Sequence, residues 1–173
     1  QSLYSFQFTT SDTGNNSDVG IPIDGKIVLT FPNGFDLSGD KIATLSVSGG
    51  FADIFIDDNV MTLVRDTTGT AVTGGQSVTL AIYSLVNHQT ATNYTVMLET
   101  RTVDDVTIDS GTSSPFAITH GSLDHFTWDP IGNQTASTPF SVVIKAKDQY
   151  ENTVLSFSQP VNLSDKSGTL TPV

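Results

Sequence analysis

Apolar and polar residues alternate in run after run along this chain, and no stretch keeps apolar residues at helical three-to-four spacing for three turns. Residues 3–8 put Tyr4, Phe6 and Phe8 on one side and polar partners on the other. Ile27, Leu29 and Phe31 repeat the pattern, as do Val78, Leu80 and Ile82, and then Tyr94, Val96 and Leu98. The cleanest stripe is Phe140, Val142, Ile144 and Ala146, with Lys145 and Lys147 opposite. A period of two belongs to a pleated strand that buries one face, so each run predicts a strand in need of a covering layer. Only Phe35-Asp36-Leu37-Ser38 invites a helical turn, and it goes no further.

Turn signals punctuate the strands: Asp24-Gly25, Pro32-Asn33-Gly34, Gly49-Gly50, Asp57-Asp58-Asn59, Thr68-Gly69 and Gly74-Gly75. Gly, Asn and Asp tolerate the positive backbone angles that tight hairpins demand. Residues 3–119 thus read as about eight or nine short antiparallel strands, enough for one two-sheet sandwich. Phe116-Ala117-Ile118-Thr119 resembles a closing strand, and His120-Gly121-Ser122 is a short polar junction. A new alternation starts at Leu123 and predicts strands at 123–129, 138–147, 159–164 and near 168–173. An immunoglobulin-type sandwich takes about seven strands and roughly 100 residues. The fold class is therefore all-β, with one sandwich module at 1–119 and the incomplete start of a second at 122–173.

Composition narrows the partners. The 173 residues include 7 Lys plus Arg against 18 Asp plus Glu, a formal charge of -11, which repels phosphate backbones and argues against nucleic acid. No apolar run approaches the roughly 20 residues of a membrane-spanning helix, so membrane insertion is not expected. The absence of cysteine removes disulfides, thiol chemistry and zinc–cysteine sites. Only 14% of residues are charged, and about a quarter are Ser or Thr, a usage typical of extracellular β-rich surface proteins. Gln1 opens directly into a strand-like run, as at a processed mature terminus or in an excised fragment.

The stretch from Gly25 to Asp36 (Gly-Lys-Ile-Val-Leu-Thr-Phe-Pro-Asn-Gly-Phe-Asp), with Val86-Asn87 and Tyr94-Thr95-Val96, resembles a module repeated in large prokaryotic surface proteins. The second segment is similar to bacterial immunoglobulin-like repeats of the invasin and intimin type. That resemblance rests on Leu123-Asp124-His125-Phe126, on Ala146-Lys147-Asp148-Gln149-Tyr150-Glu151-Asn152-Thr153-Val154, on Val161-Asn162-Leu163-Ser164-Asp165 and on Gly168-Thr169-Leu170-Thr171-Pro172. Those repeats usually carry Gly where this chain has Glu151. The resemblance implies tandem immunoglobulin-like antiparallel β-sandwiches in an exported protein of a bacterial or archaeal surface. Such modules serve as stalks, adhesin segments, surface-layer pieces or spacers beside enzyme domains.

Candidate chemistry is sparse. His120 and His125 flank the junction, with Asp124 between them and His88 far away in sequence. A metal centre needs converging ligands, and neighbours along a strand point to opposite faces. Calcium takes six to eight oxygen ligands, for which Asp104 and Asp105, with Asp109 nearby, are the favoured residues. Asp57-Asp58-Asn59 is more simply a hairpin turn. Neither a Gly-x-Ser-x-Gly elbow nor a phosphate loop occurs, and no pair of acids stands in a cleft-forming context, so no enzyme is expected. Trp128, Tyr83, Tyr94 and Tyr150 are the rings available to a sugar, with Tyr150 in the most loop-like setting and Trp128 better suited to a core or inter-module contact. Asn-x-Ser/Thr sequons at Asn15, Asn93, Asn133 and Asn162 are possible glycosylation positions, Asn15 and Asn133 being the better acceptors.

A half-built sandwich leaves an apolar face uncovered. Hiding even half of the Phe140, Val142 and Ile144 stripe is worth several kcal/mol at roughly 25 cal/mol per Å². Either the module is cut short at a boundary, or two chains exchange strands across that face, or a neighbouring subunit donates the missing strands. The expected function is a non-enzymatic, extracellular structural or adhesive protein of a prokaryotic cell surface: a stalk, surface-layer or filament subunit. Its partners would be neighbouring immunoglobulin-like modules, identical subunits, or host or cell-surface glycans. The competing class is a carbohydrate-binding accessory module of a secreted polysaccharide-active enzyme.

Overall fold

The computed structural model describes residues 2–12 and 19–164, and the chain divides into two compact units, 1–119 and 120–173. Every regular element among the described residues is a β-strand, and all pairings are antiparallel.

The first unit holds β1 (Ser2–Thr9), β2 (Val19–Ile21), β3 (Lys26–Thr30), β4 (Ile42–Leu45), β5 (Phe51–Asp57), β6 (Val60–Arg65), β7 (Val72–Thr73), β8 (Ser77–Leu85), β9 (Asn93–Tyr94), β10 (Met97–Arg101), β11 (Thr107–Thr112) and β12 (Phe116–Ala117). Its two main sheets run β1-β8-β4 and β11-β10-β3-β6-β5, and two short pairs, β12-β9 and β2-β7, supplement them. Ile27 and Leu29 of β3 and Met61 and Leu63 of β6 pack in one buried cluster with Val78, Leu80 and Ile82 of β8. Residues of both main sheets therefore share one core, an arrangement consistent with a β-sandwich. Tyr4, Phe6 and Phe8 line the same core from β1, and an aromatic group of Tyr4, Phe31, Phe35, Tyr94 and Phe116 extends it.

Two expectations change, and β8 adds a feature beyond its expected stripe. Phe35-Asp36-Leu37-Ser38 forms no helical turn, because Asp36 exchanges both main-chain hydrogen bonds with Val86, at 3.2 Å each, and the chain stays extended. The run through Tyr94, Val96 and Leu98 is two strands, since Tyr94 pairs with Phe116 whereas Met97 to Arg101 pair with β3 and β11. In β8 the alternation is reset after Ile82. Ser84 takes a left-handed backbone (φ 69°) opposite the register break in β1, so both Ile82 and Leu85 reach the core.

One end of this unit is pinned by Arg65, whose side chain is 1% exposed. Its guanidinium donates from Nη1 to the carbonyls of Ile21 (3.3 Å) and Pro22 (3.0 Å), and from Nη2 to those of Ser48 and Thr70, both at 2.9 Å. The contacts are tight. Gly49 has φ 101°, and a Cβ there would lie 2.4 Å from the Thr68 carbonyl oxygen and 2.9 Å from Arg65 Nη2. Gly69, at φ 77°, would drive a Cβ to 2.5 Å from the Ser48 carbonyl. Burial lowers the Arg65 pKa, and neighbouring Asp66 works in the opposite direction. Arg65→Ala is expected to destabilise the unit by about 3 kcal/mol or more, because it orphans several main-chain carbonyls at once. Arg65→Lys is expected to recover less than half of the loss, since a single ammonium cannot reproduce the planar fork. Urea unfolding followed by far-UV circular dichroism checks both.

Candidate functional site

The second unit holds β13 (His125–Trp128) and β14 (Ile144–Lys147), paired with Phe126 opposite Ala146 and Trp128 opposite Ile144. Val154 donates to the Ala146 carbonyl at 2.9 Å on the other side of β14, and Phe157 packs edge-on to Phe126 with centroids 5.2 Å apart. The strand expected over 138–147 is thus only its last four residues. The β13–β14 ladder ends where the Asp129 N–H donates to the Val143 carbonyl at 3.1 Å, and Phe140 and Val142 lie exposed on unpaired chain while Ile144 is half-buried in β14. The strand expected over 159–164 does not form among the described residues, and the one near 168–173 lies outside them. Trp128, expected in a contact, is 54% exposed, and Ile131, Val143 and Leu155 are exposed as well.

A single carboxylate organises the turn that closes this unit. Asp148 is 1% exposed. Its Oδ1 accepts from the main-chain N–H groups of Tyr150 and Asn152, both at 2.9 Å. Its Oδ2 accepts from Gly121 N (2.7 Å) and Asn152 Nδ2 (2.9 Å). Burial raises its pKa, but these four donors outweigh burial and hold the carboxyl well below the ordinary carboxylate range. Glu151 sits in the turn with φ 66°, the left-handed backbone for which Gly is the usual choice. Its Oε1 lies 3.1 Å from His125 Nε2, and Asp124 Oδ2 lies 2.9 Å from His125 Nδ1, so His125 stands between two carboxylates.

In the first unit, a groove of about 370 Å³ lies where the two main sheets end at β1 and β11, over Phe6, Phe8, Val96 and Leu98. The ladder fixes which main-chain groups face it. Thr10 bonds Gln76, and the antiparallel register then assigns Phe8, Phe6 and Tyr4 to β8 and turns Ser5, Gln7 and Thr9 outward. Ser11 continues that series, and its N–H meets both Asp109 oxygens at 3.2 Å, closing one end of the groove. Across it, Ser113 bonds Val96, which likewise turns Ser110 and Thr112 of β11 outward.

The remaining sequence candidates are dispersed. Asp105 is ion-paired to Lys26 at 2.8 Å, and that hydrogen bond lowers its pKa; Asp104 shares its turn between β10 and β11. Asp57-Asp58-Asn59 connects β5 and β6, with Asp58 at φ 52°. His120 Nδ1 lies 2.8 Å from its neighbour's carbonyl, and His88 packs edge-on to Phe35 and at a tilt against Tyr94. Among the described residues no three His, Asp or Glu gather as a metal site. Tyr83 and Tyr150 are exposed, as are Asn93, Asn133 and Asn162; Asn15 lies outside the described residues. Sequence reasoning missed Arg65, the bracing by Asp148 and the β1–β11 groove. The Asp-x-x-x-Asn spacing at 148–152 is the one signal that pointed to any of them. The groove and the half-covered face of β13–β14 offer outward main-chain donors and acceptors and apolar side chains, a chemistry of strand pairing and packing.

Comparison with protein-family models, curated proteins and solved structures finds no match to this chain. The Asp148 geometry makes its own prediction. A depressed carboxylate stabilises fully above the ordinary range near pH 4, and that stability is lost as the pH falls through the native value. Trp128, the chain's one tryptophan, reports this unit, so its fluorescence is expected to hold steady down to about pH 4 and change below it. Asp148→Asn sets an NH₂ against N–H donors, and is expected to expose the Gly121, Tyr150 and Asn152 amides to hydrogen exchange already at pH 7.

Proposed function

We propose that this chain is a non-enzymatic, extracellular structural or adhesive part of a prokaryotic cell surface, built of immunoglobulin-like sandwiches in a stalk, surface layer or filament. The observation that carries the reading is how three of the buried polar side chains are used. Arg65 braces three loops, Asp148 braces a turn, and Thr10 ties β1 to the Gly74-Gly75 turn through the Thr73 carbonyl at 2.8 Å and the Gln76 N–H at 3.2 Å. Each of these groups closes on its own backbone, the use expected of a module that transmits or resists force. The acidic, Ser/Thr-rich composition and the resemblance of residues 25–36 and 146–154 to surface-protein repeats support the same reading. Calcium at the acidic turns and glycans on Asn93, Asn133 or Asn162 belong to it as accessory features.

Exposed Trp128 and Tyr150 favour a second reading, a carbohydrate-binding accessory module, because sugar rings stack on exposed aromatic faces. Antibodies against the chain are expected to label intact cells of the encoding organism; labelling that requires lysis overturns the surface role. On a glycan array, binding abolished by Trp128→Ala or Tyr150→Ala would favour the second reading over the first.

A further inference from the structure

Four strands end the two main sheets of the first unit, and three of them carry the devices that keep an edge from pairing with a foreign strand. β4 is only four residues long. β5 bears Asp53 and Asp57, with a break in register between Phe51 and Asp53. β11 bears Asp109, already engaged by Ser11, and its pairing with β10 is broken at Arg101. β1 is different. It runs for eight residues, Ser-Leu-Tyr-Ser-Phe-Gln-Phe-Thr, without a charge or a proline. Its irregularity falls at Ser2/Tyr4, leaving Ser5, Gln7 and Thr9 with main-chain groups turned to the groove side.

Charge decides what can come to this edge. The six described cations are each engaged within their own chain: Lys26 with Asp105, Lys41 with the Ser38 carbonyl, Arg65 with its carbonyls, Arg101 with Glu99, Lys145 with Asp129 and Lys147 with the Glu151 carbonyl. A second copy therefore offers little basic surface to a chain of charge -11, and copies meet most cheaply where neither contributes charge. We propose that β1 pairs antiparallel with β1 of a second copy, about a two-fold axis at Gln7. Ser5 then faces Thr9 of the partner subunit, the outward groups of both strands are satisfied at once, and β4-β8-β1 continues into the second copy's sheet. The contact is self-complementary, so it closes as a dimer rather than growing. It deepens the structural reading without requiring the chain to lie outside the cell, so failure of cell-surface labelling leaves it standing.

Sedimentation velocity of the full chain from about 10 µM to about 1 mM tests it across the weak-affinity range. A reversible monomer–dimer equilibrium is expected, tightened by added salt because screening removes like-charge repulsion. Gln7→Pro deletes an outward N–H that β8 does not use, and is expected to raise the dimer Kd about tenfold or more while the melting temperature holds. Gln7→Ala keeps the backbone donor and is expected to shift the Kd less than about twofold. Should Gln7→Pro fail to fold, amide exchange of the unaltered chain serves instead, with concentration-dependent protection expected at Ser5, Gln7 and Thr9. A monomer at every concentration, a dimer indifferent to Gln7→Pro, or protection confined to other strands overturns the proposal.

Discussion

The Arg65 guanidinium is buried at one end of the first unit and faces main-chain carbonyls from three separate stretches: Ile21–Pro22, Ser48 and Thr70. Buried carbonyls without donors are expensive, and these lie at the end of β2 and in the irregular chain around Pro22, Ser48 and Thr70. One planar cation with several donors meets that need in a single step, which neither a hydroxyl nor an ammonium can do. The loops must in turn come close enough to be reached, and Gly49 and Gly69 allow it by leaving out side chains the space cannot hold. The fixed loops set where β7 follows β6 and where β5 begins. The edge of the larger sheet is therefore tied to the charge at its end.

The second unit solves a similar problem with the opposite charge. Among the described residues it has two strands and little interior, with Ala146 and Val154 the buried apolar ones. A core this small contributes little, so a larger share of its order falls to Asp148, which gathers donors from Gly121, Tyr150 and Asn152. Both units thus rest their least regular segments on one buried ion that is answered by backbone, not by a counter-ion. Its strength varies little with salt, in contrast to the exposed pair of Lys26 and Asp105.

Alternation made the strand content legible wherever a strand keeps one partner set and one buried face. Tyr4, Phe6 and Phe8, and Val78, Leu80 and Ile82, follow the period of two because β1 and β8 lie side by side with the core on one face. The pattern misleads where partners change or are missing. Tyr94, Val96 and Leu98 all reach the core, yet the ladder switches between them, since facing inward does not dictate the hydrogen-bonding neighbour. Phe140 and Val142 have a strand's pattern without a strand's partner, because cross-strand bonding beyond Ile144 ends with the Asp129 N–H on the Val143 carbonyl. Leu85 was hidden by the shift of register at Ser84, a residue with no special leaning toward a left-handed backbone. Arg65 was invisible for another reason. An arginine among apolar neighbours reads as an edge or surface charge until the loops that converge on it are known.

Carboxylates, hydroxyls and guanidinium groups are the residues from which catalytic and metal centres are made, and the chemistry open to them depends on which partners they already have. A buried group that closes on its own backbone has little hydrogen-bonding capacity left for a substrate, and its pKa is set by the fold. Arg65, Asp148 and Thr10 are all of this kind, and the acids nearest to convergence, Asp105 and Asp109, are engaged by Lys26 and by Ser11. Among the described residues, the outward main-chain groups of β1 and the half-covered rings of Phe126 and Trp128 stand open. Such groups recognise strands and flat faces through repeated weak contacts. That distribution of used and unused groups is one support for the architectural reading proposed for this chain.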